Sequence, residues 1–144
     1  MTFVIYGAGA IGGAIGGRLA QAGEQVTLIA RGTHAAALRE HGLRLLSPDD
    51  EVTLRLPVVE HPREITFTGD EVVLLAVKSQ DTASALDELA AVAPQTIQVA
   101  NVQNGVANER ATLRKFPNVI GVNVLMPAEH LSPGVVEASS APIK

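Results

Sequence analysis

The sequence predicts an α/β domain with a doubly wound, mostly parallel sheet. Three observations carry this prediction. The pentad Thr2-Phe3-Val4-Ile5-Tyr6 runs straight into glycines spaced G-x-G-x-x-G, in the order Gly7-Ala8-Gly9-Ala10-Ile11-Gly12. Strand-like and helix-like patterns then alternate along almost the whole chain. After Gly69-Asp70-Glu71, the stretch Val72-Val73-Leu74-Leu75-Ala76-Val77 is apolar without alternation, which fits a strand buried on both faces of a parallel sheet.

Length and composition narrow the function. With 144 residues, 47% hydrophobic and 18% charged, the chain suits one globular domain spanning residues 1–144. A net charge of −4 and only 3% aromatic residues leave no basic stripe or stacking platform, which excludes a nucleic-acid partner. The aliphatic run 72–77 is far too short to span a bilayer, and no basic n-region opens the chain, so a soluble, cytoplasmic protein without a membrane partner is expected. The sequence has no cysteine, which removes disulfides, thiolate catalysis and zinc–thiolate sites.

The first strand and its glycines read as a phosphate cradle. Gly7 permits the tight turn, Gly9 lets the main chain approach a pyrophosphate, and Gly12 lets the next helix lie close to the strand. A glycine-rich turn before an ordinary helix is the alternative. Ile11, Ile15 and Leu19 recur at helical spacing, and Gly23 is placed to terminate that helix. Gly13, Gly16 and Gly17 also lie inside it; each costs about 1 kcal/mol of helix propensity against alanine, so a close approach by a cofactor, the sheet or another domain must offset the loss.

A second strand follows at Gln25-Val26-Thr27-Leu28-Ile29-Ala30, and then comes Arg31. An NAD site places an acid about 20 residues past the glycines to accept from the ribose 2′-hydroxyl, whereas arginine suits a 2′-phosphate. No acid stands at Ala30, Arg31 or Gly32, so NADP is the expected cofactor, against the plain alternative of a solvated arginine. Thr33 is placed to cap a short helix ending at Glu40 or His41, with Gly42 as its stop. Residues 43–46 and 52–56 flank the turn-like Ser47-Pro48-Asp49-Asp50 and suggest a hairpin, while Asp49, Asp50 and Glu51 read as a solvated turn.

Beyond the central strand, helices are expected at 81–92 and 106–116, each stopped by a proline, with strands at 96–100 and 119–124 and an edge strand at 134–138. Ligands of an open parallel sheet sit outside the carboxyl ends of its strands, which singles out Lys78-Ser79-Gln80 and Asn101-Val102-Gln103-Asn104-Gly105. Lys78 can reach a cofactor phosphate or ribose, or a substrate carboxylate, or can simply be solvated. Asn104 can donate and accept at a nicotinamide ribose or a substrate carbonyl, although asparagine before glycine equally marks a turn. His34, His41, His61 and His130 show no metal-ligand spacing, and surface positions are expected for them; His34 alone lies near enough to Arg31 to assist at a phosphate.

Taken together, the glycine motif, Ile29-Ala30-Arg31-Gly32, Val77-Lys78-Ser79-Gln80, Gln103-Asn104-Gly105-Val106 and Pro133-Gly134-Val135-Val136 make the chain resemble the ketopantoate reductase (2-dehydropantoate 2-reductase) family. The resemblance covers nearly the whole chain and implies a Rossmann-type domain, NADPH as reductant and a 2-keto acid substrate, ketopantoate, reduced to pantoate on the route to pantothenate. Gly7, Ala8, Gly9, Ala10, Ile11 and Gly12 would then hold the pyrophosphate, Arg31 the 2′-phosphate, and Lys78 and Asn104 both cofactor and substrate. Family members continue into a helical second domain with the catalytic lysine and a substrate-binding glutamate, so no catalytic residue is assigned here. A chain shortened to its cofactor domain, or one half of a split enzyme, would account for this; a helical domain or a second copy in a homo-oligomer would complete the site. The glycine-rich helix and residues 126–133 would be left partly bare for that contact. A non-catalytic dinucleotide sensor is the competing function, since the fold alone does not imply chemistry.

Overall fold

The computed structural model describes residues 1–103 and 107–139 and shows a doubly wound α/β fold with a second, smaller sheet. The main sheet contains β1 (Thr2–Tyr6), β2 (Gln25–Ile29), β5 (Val58–Val59), β6 (Val72–Leu75), β7 (Gln98–Asn101) and β8 (Val119–Gly121). Its order is β5-β2-β1-β6-β7-β8, and every neighbouring pair is parallel. The strand order therefore reverses at β1, where such sheets open a crevice at their carboxyl ends. β6 lies at the centre with all four residues buried, as its unbroken apolar run requires.

Alternation along β1 divides the core. Ile5 points to one side with Leu28, where α1 (Ala10–Gln21) and α2 (Gly32–His41) pack; Val4 and Tyr6 point to the other, with Leu86 and Leu89 of α3 (Thr82–Ala90) and with Phe116 after α4 (Ala107–Leu113). Gly42, with φ of +81°, ends α2 as expected, but Thr33 lies within that helix; Arg31 is the N-cap residue, and its side chain makes no cap bond. Gly23 likewise closes α1, donating from its amide to the Ala20 carbonyl at 3.0 Å.

The expected hairpin forms from β3 (Leu43–Leu46) and β4 (Glu51–Leu54), antiparallel with Leu43 opposite Leu54. It belongs to a second sheet, separate from the main one. β10 (Val135–Ala138), expected as an edge strand, pairs in parallel with β3 and antiparallel with β9 (Ala128–Ser132), giving a four-stranded sheet of order β4-β3-β10-β9. β9 escaped the sequence reading because its Ala-Glu-His-Leu-Ser run carries almost no strand propensity. The strand expected at 119–124 ends at Gly121, and Val106 lies outside the described residues.

The two sheets explain the glycines of α1. A Cβ on Gly16 would stand 2.9 Å from Ile5 and 3.2 Å from Leu28 of the main sheet, while one on Gly13 would stand 2.9 Å from Val136 and one on Gly17 2.9 Å from Leu45 of the small sheet. Gly12, Gly13, Ala14, Gly16 and Gly17 are the buried face of the helix, and Ile11, Ile15 and Leu19 flank it half-buried. The expected bare glycine-rich surface is thus covered by the chain's own strands. Leu125 (87% exposed) and Leu131 (48%) do remain open in the 126–133 neighbourhood.

The tightest contact is at Gly12, where a Cβ would lie 2.1 Å from the Gly7 carbonyl oxygen, a backbone atom that cannot swing aside. Gly12→Ala is therefore expected to lower unfolding stability by about 2 kcal/mol despite its better helix propensity. Gly17→Ala, which meets side-chain methyls, should stay within about 1 kcal/mol of the parent. Urea unfolding compares them, and equal stabilities would contradict the tight junction.

Candidate functional site

The loop between β1 and α1 is fixed from three directions. The Gly7 and Ala8 amides both donate to the Ile29 carbonyl at 3.1 Å, which ties the glycine loop to the end of β2. Gly7 adopts φ of +99°, and a Cβ there would meet the Val77 nitrogen at 2.7 Å, so the loop also lies directly against the end of β6. The third restraint is His34, whose Nε2–H donates to the Ala8 carbonyl at 2.5 Å while its Nδ1 accepts from the Gly134 amide at 2.9 Å.

This loop delivers the N-terminus of α1 to a crevice. The N-cap residue Gly9 makes no side-chain cap bond, the first turn holds no acid, and the first helical bond runs from the Gly13 amide to the Gly9 carbonyl at 2.8 Å. The first-turn amides and the positive end of the helix dipole are thus offered outward, as an anion site requires. A Cβ on Gly9 would meet nothing within 4 Å, so the space beside its main chain is open.

Two clefts meet here. One, about 210 Å³, is lined by Tyr6, Gly7, Gly9, Arg31, His34 and Ser84 among others; the second, about 410 Å³, is lined by Gly9, Ala10, Ile11, Lys78, Gln80 and Gln103 among others. Gly9 and Val77 line both, so the two clefts adjoin at the helix N-terminus, one reaching Arg31 and the other Lys78. The smaller cleft alone falls below the roughly 300–1,000 Å³ of small-molecule sites; joined to its neighbour it lies within that range. Lys78 is exposed and makes no ion pair among the described residues. Asn104 lies outside the described residues.

Gln103 holds the far end together. Its Nε2 donates to the Val77 carbonyl at 2.6 Å and to Thr82 Oγ1 at 2.8 Å, joining the end of β7 to the end of β6 just before Lys78. Asn101, fully buried, donates to Thr112 Oγ1 at 3.0 Å, while its own Oδ1 has no partner among the described residues.

At the near end the surroundings of Arg31 differ from those read in the sequence. Its flanking residues carry no acid, but Glu88 of α3 accepts from Arg31 Nη2 at 2.8 Å, and Glu60 accepts from the Gly32 amide at 3.0 Å. Glu88 also accepts from the Tyr6 hydroxyl and stands 3.5 Å from His61 Nε2. Burial alone would raise the Glu88 carboxyl, but the Tyr6 hydrogen bond with the Arg31 and His61 charges outweighs it and holds it below the usual range. Burial first, and then Glu88, pushes the Tyr6 phenol up. Neither Glu88 nor Tyr6 was singled out from the sequence, because a contact between residues so far apart in the chain leaves no local pattern.

Residues 3–142 match the family model described as ketopantoate reductase PanE/ApbA. The chain belongs to the ketopantoate reductase family. It is 35% identical over 142 residues to 2-dehydropantoate 2-reductase from Pyrococcus abyssi, covering 95% of this chain and 44% of that protein. A PanE/ApbA family ketopantoate reductase from Ralstonia eutropha superposes with a TM-score of 0.89 at 34% identity, over 96% of this chain and 46% of that one. A D-mandelate dehydrogenase solved with NADH and anilino(oxo)acetate superposes with a TM-score of 0.86 at 27% identity, over 96% of this chain and 45% of that one. The chain thus spans less than half the length of these relatives. Among the described residues, no helix is long and apolar enough to cross a membrane, and no cluster of potential metal ligands forms.

His34 and His61 are half-buried, contrary to the surface positions expected of all four histidines; His41 and His130 are exposed. Burial pushes the His34 imidazole below its ordinary range, overriding the Ala8 hydrogen bond, and His130, 3.1 Å away, pushes the same way. A depressed histidine favours the fold while neutral, so its contribution is full above the unfolded value near 6.5 and is lost as pH falls through the lower folded value. His34→Gln should therefore flatten the stability loss between about pH 7 and pH 5. Urea midpoints across that range check this, and an unchanged slope would contradict it.

Proposed function

We propose that the groove binds a nicotinamide dinucleotide, NADPH in preference to NADH, and that residues 1–144 are the cofactor-binding domain of a cytoplasmic reductase of 2-keto acids. The two clefts that adjoin at the α1 N-terminus, one lined by Arg31 and the other by Lys78, carry this reading. The residues fit such a group: uncapped amides, no acid in the first turn of α1, and open space at Gly9.

In this reading Gly7, Ala8, Gly9, Ala10, Ile11 and Gly12 present the main chain to the diphosphate, and Arg31 presents its guanidinium to a 2′-phosphate. Lys78, at the other end, takes a ribose hydroxyl or a substrate carboxylate, and the family motif assigns the same partners to Asn104. The bound dinucleotide supplies the hydride. The chain orients the acceptor carbon and withdraws water from one side of it. A helical domain or a second copy of the chain would close the other side.

Family membership makes 2-dehydropantoate the leading substrate and pantothenate formation the leading pathway. The mandelate dehydrogenase neighbour, solved with an oxo-acetate compound, supports 2-oxo acids as the wider class.

Fluorescence titration of both cofactors tests the reading. NADPH should bind more tightly than NADH, and Arg31→Ala should cost NADPH about 1–3 kcal/mol while leaving NADH nearly unchanged. Equal affinities in the parent protein would remove the NADP assignment. Gly9→Val should abolish binding of both while the protein still melts cooperatively, because its side chain fills the space beside the Gly9 main chain. Normal affinity in that variant would place the phosphates elsewhere, and a chain that binds neither cofactor would end the dinucleotide reading.

A further inference from the structure

Arg31 is not a free guanidinium waiting for an anion. Its side chain is 60% exposed and hydrogen-bonded to Glu88, whose side chain is 27% exposed. The Glu88 carboxylate is the better-anchored partner, since it also accepts from Tyr6, a β1 residue only 2% exposed and set in the rigid sheet. His61 stands 3.5 Å from the same carboxylate oxygen, and Glu60 holds the Gly32 amide beside it while pairing with Arg39 at 3.4 Å. Arg31 and Asp81 line the smaller cleft, and Glu88 and Glu60 bear on it through the Arg31 guanidinium and the Gly32 amide.

We propose that Glu88 sets the cofactor selectivity of this site by competing with a 2′-phosphate for Arg31. The inference rests on the dinucleotide reading above. A 2′-phosphate must displace Glu88 from Arg31 or share the guanidinium with it, and two anions at one cation repel. A 2′-hydroxyl faces no such conflict, because it is uncharged and leaves the Arg31–Glu88 pair intact. Arg31 thus favours NADPH, and Glu88 narrows that preference.

Glu88→Gln tests this, keeping the shape and an acceptor oxygen for Tyr6 and Arg31 while removing the charge. Affinities for NADPH and NADH are measured by calorimetric titration on the parent protein and on E88Q, with 2′,5′-ADP and 5′-AMP as probes of the adenosine end alone. Thermal melting confirms that each variant folds, and Glu88→Ser serves in its place if E88Q does not. The NADPH-to-NADH affinity ratio should rise by about tenfold in the variant, and the ratio of 2′,5′-ADP to 5′-AMP should rise with it. An unchanged ratio with both cofactors bound overturns this inference and leaves the dinucleotide reading standing. Failure of the folded parent to bind either cofactor overturns both.

Discussion

The approach of α1 to its two sheets is the constraint on which the rest of the structure depends. A helix normally keeps its neighbours 8–10 Å from its axis with side chains between them. Here the face of α1 that turns to Ile5 and Leu28 on one side, and to Val136, Leu43 and Leu45 on the other, is glycine at four of its five buried positions. The helix therefore lies directly on the Ile5 and Leu28 side chains and, at Gly12, on the Gly7 carbonyl, and its first turn emerges from the Gly7 loop at the point where the strand order reverses. A bulkier face would lift the helix and carry its N-terminal amides away from the crevice. The propensity lost at each glycine is offset by that placement and by the apolar contacts of both sheets.

The small sheet acts as a back wall. β10 and β3 press on Gly13 and Gly17, and the Gly134 amide reaches His34, which in turn holds the Ala8 carbonyl. The glycine loop is thus braced from the main sheet through Ile29 and from the small sheet through His34. The clefts also carry charge, with Asp81 beside Arg31 in the smaller one and Lys78 in the larger. The helix N-terminus between them carries no acid, Lys78 at one end is exposed, and Arg31 at the other end is already engaged by Glu88.

Much of this was legible in the residues, and the illegible parts share a cause. The parallel sheet could be read because β6 is apolar without interruption and because β1 runs into the glycine motif; both are local patterns. The groove could be placed because parallel sheets bind at their carboxyl ends, which singled out Lys78. The small sheet could be read only in part: its hairpin β3–β4 and its strand β10 were expected, but not their assembly into one sheet. Its strands β3 and β10 are far apart in the chain, and β9 has little strand character, so nothing local joins them. The extra glycines of α1 announced a close approach but not the identity of the neighbour. At Arg31 the local reading found no acid, and the fold supplies Glu88 from a helix on the other side of the central strands.

Residue-by-residue mapping of cofactor binding addresses the central claim most directly. In an amide-resolved magnetic resonance titration of the protein with NADP⁺, the account predicts the largest shifts at the first-turn amides Gly9, Ala10, Ile11 and Gly12, with further shifts around Arg31 and Lys78 and little change in β4 or β9. Shifts confined to the small sheet, or scattered without a maximum at the N-terminus of α1, would contradict the account.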